Sequence, residues 1–292
     1  MPNSIALFKK YIAGVLDDVY KAASLTSKLD GSPELVKEGA NADEMVIPKI
    51  SMDGLADYSR NGGYVGGDVT LAYETVKCNF DRGRSFSVDN MDNIETAGIA
   101  FGRLAGEFIR TKVVPELDAF RFASYAGISG ISTVAAAALS TGADVIAALA
   151  AASDGMDNDE VPAEDRHLFI TPALLGLVRD LDTTKSKEIL AAFASITKVP
   201  QSRFYTAISQ LDGTTSGEEA GGYTKATGAK NINFMVIHKP AVIQFEKHVA
   251  PKIVTPETNQ DADAWKFGYR NVGIADAYEN KVAGIYLHKS TT

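Results

Sequence analysis

The chain predicts an α+β fold whose projecting parts outsize its local cores, on three observations. Two strand-like runs bracket a glycine-rich stretch, one helical stripe runs far longer than a single domain needs, and beyond it short buried strands alternate with helices. Of 292 residues, 45% are apolar and 23% charged, enough to bury a sizeable core and unlike a disordered, collagen-like or disulfide-scaffold chain. The length allows two domains or one large one.

Ile5, Phe8, Ile12, Val15 and Val19 recur three and four apart, so residues 4–24 read as an amphipathic helix at the chain's end. Its apolar stripe needs a surface, either the protein's own core, the favoured reading, or a neighbouring subunit. Leu29 to Asp43 is a polar connector. Met45–Met52 and Val69–Phe80 follow as strands, and Val69, Leu71 and Tyr73 alternate with polar or small residues as in a half-buried strand. Between them Gly62-Gly63 and Gly66-Gly67 flank Tyr64 and Val65, so the tip of this long hairpin has little of its own to pack against. Arg82-Gly83 is read as a turn into a short strand, Arg84–Val88.

Residues 92–127 form the longest helix signal, with Ile94, Ala97, Phe101, Leu104, Phe108 and Ile109 as its stripe. At about 1.5 Å per residue it would be on the order of 50 Å long. Pro115 lies inside it and predicts a kink or break near Val114. Gly98, Gly102 and Gly106 recur every four residues along one side, a costly choice in a helix that points to close approach of another backbone.

Further on, Ala143–Ala152 reads as helix, Asp154 to Asp165 as an acidic loop and His167–Ile170 as a buried strand. Thr171 and Pro172 open a helix through Arg179 as N-cap and first residue. Lys185–Ser195 is another helix. Asp212–Lys230 reads as a long loop, functional or disordered, with glycines at 213, 217, 221, 222 and 228. Ile232–Ile237 is a strand, followed by a short helix from Pro240. Val249–Val254, Trp265–Arg270, Gly273–Tyr278 and Val282–His288 are strands, with Glu279-Asn280-Lys281 as the turn of a terminal hairpin.

Chemistry is sparse. His167, His238, His248 and His288 share no metal-ligand spacing, and Cys78 is the only cysteine, so no intramolecular disulfide and no cysteine zinc site can form. His238 and His288 read as solvated or core-edge groups. Residues 127–131 (GISGI) miss the nucleophile-elbow spacing, and neither phosphate-binding glycine pattern occurs. The acidic loop lacks the EF-hand spacing. A net charge of −8 argues against a dedicated nucleic-acid binder, and no basic, aromatic-interleaved groove is legible along the chain. Residues 1–26 are unlike a signal peptide, and Thr133–Ala152 is too polar to cross a membrane. No catalytic residue, cofactor or metal is therefore expected.

The order of elements resembles the major capsid proteins of tailed bacteriophages, the Hong Kong 97-type coat fold, and in wording the coat proteins of phages and prophages of low-GC Gram-positive bacteria. The resemblance spans nearly the whole chain and is carried by residues 3–12 (NSIALFKKYI), 77–84 (KCNFDRGR) and 107–126 (EFIRTKVVPELDAFRFASYA). Arg166–Leu175 and Ile232–Val242 match in pattern. It implies an N-terminal arm over residues 1–40, an extended loop over 41–90 that reaches a neighbouring subunit, and the spine helix of a peripheral domain over 91–130. Residues 131–235 would form an axial domain and 236–292 the C-terminal strands completing both.

It further implies a structural, non-enzymatic subunit that self-assembles through pentamers and hexamers into an icosahedral shell around DNA held only non-specifically. A separate scaffolding protein and a portal would be its partners, with no membrane; an arm that starts at residue 3 fits separate scaffolding or a trimmed chain. Its places would be the virion and, during assembly, the host cytoplasm. Candidate inter-subunit residues are Phe8, Tyr11, Arg60, Tyr64, Val65, Gly98, Gly102, Gly106, Gly221 and Gly222, the last two on a loop expected at the capsomer centre. An encapsulin-like compartment shell is the near alternative, and a soluble α/β enzyme or ligand-binding protein the distant one.

Overall fold

A computed structural model describes residues 24–31, 37–38, 44–95, 107–134, 136–181 and 183–291. Most of the N-terminal helix reading, with Phe8 and Tyr11, and the glycine row at 98, 102 and 106 lie outside the described residues.

The body is a five-stranded mixed sheet in the order β5 (Ser132–Val134), β13 (Ile285–Lys289), β10 (Ile232–His238), β6 (Arg166–Ile170), β7 (Ser195–Lys198). The central strands pair antiparallel, while β5 and β7 close the sheet by parallel pairing. β6 is buried at every position, as a strand covered on both faces must be. One face takes Leu168, Ile170, Phe234 and Val236 against α3 (Gly142–Asn158), α4 (Pro172–Asp180) and α5 (Thr184–Ala191). The other takes Phe169, Met235, Ile237 and Leu287 against Phe122 and Tyr125 of α2 (Val114–Gly127). Each large apolar side chain so buried contributes roughly 1.5–3 kcal/mol, which makes this layered core the stable centre of the molecule.

A second sheet, β11 (Val242–Val254), β12 (Ala264–Ala277), β4 (Phe80–Asp89), is antiparallel and leads into the short helix α1 (Asn90–Glu95). A third carries the hairpin: β1 (Lys37–Glu38), β2 (Glu44–Met52) and β3 (Val69–Lys77), with β2 and β3 in unbroken register from Glu44↔Lys77 to Met52↔Val69. Its base is packed through Met45 against Ile243 and Ile274.

Several expectations are corrected. Pro115 does not break the helix: a π-helical turn at Ile109–Val113 widens the coil just before it and joins α2 without interruption. Arg82-Gly83 is not a turn, because β4 runs straight through it. Gly83 serves instead for close approach, since a Cβ there would lie 2.7 Å from the Tyr269 carbonyl oxygen. Cys78 falls between β3 and β4 rather than on a strand. Asp154 and Asp157 belong to the end of α3, whose Thr141–Asp144 capping box fixes its start. Thr171 holds the N-cap position of α4 without a side-chain cap bond.

The segment Lys185–Ser195 divides into the end of α5 and the start of β7, and the helix expected from Pro240 is a single 3-10 turn at Lys239–Ala241. Asp212–Lys230 is not structureless, for β8 (Ile208–Leu211) pairs with β9 (Gly222–Lys225). The strands expected on either side of Arg270 are the single long β12, where Gly273 lets the Phe245 carbonyl approach. Residues 279–281 do not turn a hairpin, since β12 and β13 belong to different sheets and a 3-10 turn carries the chain between them.

Candidate functional site

Hydrogen bonding extends the β2–β3 ladder past its last pair: the Asp53 amide donates to the Asp68 carbonyl (3.1 Å) and the Asp68 amide to Asp53 Oδ2 (2.9 Å). At the tip Gly63, at φ +76°, closes a small turn with Ser59, and Tyr58 and Tyr64 set their rings 5.0 Å apart. Among the described residues nothing covers the tip of this projection. Tyr64 is 91% exposed and Leu55 fully exposed. The alternation of Val69, Leu71 and Tyr73 predicts one buried face, yet all three are exposed, and so are Thr70 and Ala72. Apolar side chains in such a row mark an interaction surface.

A second feature was not anticipated by sequence reasoning. Asp118, fully buried on α2, accepts from Ser24 Oγ (2.8 Å), Thr26 Oγ1 (2.9 Å), the Leu25 amide (3.1 Å) and Arg203 Nη1 (3.1 Å). One turn on, Arg121 donates to Thr26 Oγ1 (2.9 Å) and Glu246 Oε1 (3.0 Å). Tyr125 donates to Gln244 Oε1 (2.7 Å), whose amide donates to the Thr26 carbonyl and Asp30 Oδ1, both at 2.7 Å. Burial pushes the Tyr125 phenol far above its ordinary pKa, so it stays a donor. Residues 24–31 are thereby clasped to α2 and β11, with Leu29 inserted in the main core. The signal in the sequence is that Asp118, Arg121 and Tyr125 share one helical face beside Leu117 and Phe122, where apolar residues belong.

The third feature is a cleft of about 1070 Å³ between β4, β12, the helix entering α2 and the β8–β9 hairpin. It gathers Arg82, Arg84, Lys112, Arg203 and Lys225 among Phe86, Phe108, Tyr205, Tyr223 and Tyr269, so a basic, aromatic-lined groove exists although no stretch of the chain shows it. Arg82 pairs with Glu116 (2.8 Å) and donates to the carbonyls of Leu211 and Gly222. Arg84 donates to the Ala220 (3.1 Å) and Glu219 (2.8 Å) carbonyls, neutral acceptors that leave its charge uncancelled. Burial pushes the Tyr223 hydroxyl up to about 12.

Of the expected contact residues, the structure brings Arg60, Tyr64 and Val65 together at the exposed tip. Gly221 and Gly222 are elsewhere, on the loop gripped by β4. Both have positive φ, and a Cβ on Gly221 would lie 2.7 Å from Arg84 Nη1 of the same chain. Of the solvated or core-edge alternatives for His238 and His288, the structure takes the core side: both are buried, as is His167, and burial holds each below the ordinary imidazole pKa. Among the described residues no cluster of histidine, cysteine and carboxylates could hold a metal, and no helix is long and apolar enough to cross a membrane.

The hairpin, the helix clasping the incoming chain, the three-stranded sheet and the layered five-stranded body together are the phage major capsid fold. The capsid structure of the cyanophage P-SCSP1u aligns with a TM-score of 0.59 at 14% identity, over 97% of this chain and 93% of that one. A structure from Mycobacterium phage Che8 aligns at 0.58 and 14% identity, over 96% and 98%. A virus-like particle from Pyrococcus furiosus aligns at 0.54 and 11% identity, over 90% and 97%. No family model and no curated protein matches the chain.

Proposed function

We propose that this chain is the structural subunit of an icosahedral capsid shell enclosing phage DNA. The observation that carries the reading is the long β2–β3 hairpin, whose tip and whose residues Val69–Tyr73 on β3 lie open in a chain with a well-filled core elsewhere. An apolar projection is unfavourable in an isolated molecule and gains from burial in a sister copy. Many repeated contacts of moderate strength then suffice to hold a shell. A net charge of −8 suits a wall that must not bind its packaged nucleic acid tightly.

On this reading residues 1–40 are the arm, 41–90 the extended loop, 91–130 the spine of a peripheral domain, 131–235 the axial domain, and 236–292 strands completing both. Phe8, Tyr11, Arg60, Tyr64 and Val65 are contacts between copies, as are the glycines at 98, 102 and 106. Gly221 and Gly222 act through the loop they shape. Partners are the chain itself in pentamers and hexamers, a scaffolding protein and a portal, and its places are the virion and the host cytoplasm during assembly. The role is structural, without catalysis. A cellular container is the second reading, favoured by the likeness to the Pyrococcus particle. Electron microscopy of the expressed chain, with extraction of the contents, tests both: closed shells are expected, a protein cargo in native particles would favour the container, and a persistent monomer would overturn shell formation.

A further inference from the structure

The hairpin tip carries a reactive pair of its own. Of the chain's 12 asparagines, Asn61 alone is followed by glycine. The pair lies where Ser59 and Gly63 bond to each other in both directions (3.2 and 2.8 Å), with Arg60, Asn61 and Gly62 as the turn between them. Asn61 and Gly62 are both exposed, and among the described residues no hydrogen bond holds the Asn61 carboxamide. The Gly62 amide donates to Ser59 Oγ at 3.2 Å, the long end of the hydrogen-bond range, in open solvent, where such a bond withholds little. Glycine also leaves its nitrogen uncrowded, because no Cβ stands beside it. Comparable residues elsewhere are held. Asn79 bonds Ala275 through both side-chain atoms, Asn233 and Asn259 donate to carbonyls, and each precedes a larger residue. Two aspartates that precede glycine are also tied, Asp53 to the Asp68 amide and Asp212 to the Thr214 and Thr215 amides.

We propose that Asn61 is a self-modification site, at which the Gly62 backbone nitrogen displaces the side-chain amide. The nitrogen gives its proton to a solvent base and bonds to Asn61 Cγ, the Cγ–Nδ2 bond breaks, and ammonia leaves with a solvent proton. A five-membered cyclic imide remains, and water opens it. Cleavage of the new N–Cγ bond leaves an aspartyl residue; cleavage of the original peptide bond leaves an isoaspartyl residue whose main chain runs through Cβ. Water is the sole co-reactant, and nothing is oxidised or reduced. Either product adds one negative charge, taking the chain from −8 to −9. Residues 53–68, with Asp53, Asp57 and Asp68 against Arg60, go from −2 to −3. The isoaspartyl form also lengthens the main chain inside the Ser59–Gly63 closure and shifts Tyr64 against Tyr58. Resting on the shell reading, the reaction marks subunits that age before they assemble, with tips altered in charge and shape.

The test incubates the full chain, kept dilute and unassembled, in warm buffer from about pH 6.5 to about 8.5. A protease that cuts after lysine then releases residues 50–77, in which Asn61 is the one asparagine. That peptide should gain the mass difference between an amide and an acid and separate into two products, while the intact chain develops a more acidic band on isoelectric focusing. The rate should rise about tenfold or more across that pH range, since the deprotonated amide nitrogen is the attacking form. Gly62→Ala should slow the reaction about tenfold or more and keep the melting temperature, because a Cβ there meets Ser59 Oγ at 3.5 Å, an ordinary contact. If residues 50–77 keep their mass, or Gly62→Ala reacts as fast as wild type, the site is wrong. Assembly is read separately: aged wild type should lose assembled fraction in proportion to its modified fraction, and aged Gly62→Ala should keep it. Undiminished assembly of modified wild type overturns the link to assembly and leaves the chemistry standing. Fresh chain that never assembles overturns the shell reading and not the site.

Discussion

Replacing Asp118 with alanine probes the clasp between the incoming chain and the long helix. The carboxylate is fully buried and takes bonds from Ser24, Leu25, Thr26 and Arg203, and its removal leaves the Arg203 guanidinium, itself 4% exposed, without its partner. Breaking a buried ion pair on one side costs about 3–5 kcal/mol, because the remaining charge stays desolvated. At roughly 2–4 °C per kcal/mol for a chain of 150–250 residues, and somewhat less for a longer one, the melting temperature should fall by on the order of 10 °C. Asp118→Leu combined with Arg203→Met should lose much less than Asp118→Ala, since an apolar pair leaves no orphaned charge. Differential scanning calorimetry reads both, and trypsin reads the local effect: Lys28 sits within the clasped segment and should become cleavable in Asp118→Ala. A loss under about 1 kcal/mol with Lys28 still protected would refute the clasp.

Acid should weaken the subunit earlier than its carboxylates alone dictate. His167, His238 and His288 titrate below their ordinary value when folded, so the unfolded chain binds more protons, and the stability they contribute is present above about pH 6.5 and falls as pH drops below it. Melting temperatures from about pH 7.5 to 5 should decline, less steeply in His167→Gln; a flat profile contradicts the burial. Gly83→Ala should destabilise by about 1–3 kcal/mol in chemical denaturation, since the new methyl meets the Tyr269 backbone oxygen, and an unchanged midpoint refutes the close approach. Deleting residues 57–68 joins the strands by a short turn after Met52 and should leave the melting temperature within about 2 °C while assembly fails. Normal particles from that deletion would count against the hairpin as a contact element.

Local periodicity made the hairpin and the layered body legible: alternation in β3, the apolar strands β6 and β10, and the glycine pairs at the tip are all patterns within a few residues. Glycine was ambiguous. Gly83 and Gly273 read as breaks in the chain, whereas each sits inside a continuous strand where a neighbouring carbonyl leaves no room for a Cβ. Pro115 likewise read as a kink or break, and the sequence does not show the π turn that precedes it in a continuous helix. Sites built from distant parts were out of reach. Asp118 meets Ser24 and Arg203 across 94 and 85 positions, and the basic cleft collects Arg84, Lys112 and Lys225 from three separate elements. β3 is the instructive case: its alternation announces that a face will be covered, yet Val69, Leu71 and Tyr73 are exposed in the single chain.

A shell subunit must have this surface completed by sister copies. Sedimentation velocity of the full-length chain across a concentration series tests it most directly. A cooperative shift is expected, from slow subunits to one fast, narrow boundary of closed particles above a threshold concentration. A single slow boundary at every concentration, under conditions where the subunit is folded, would contradict it.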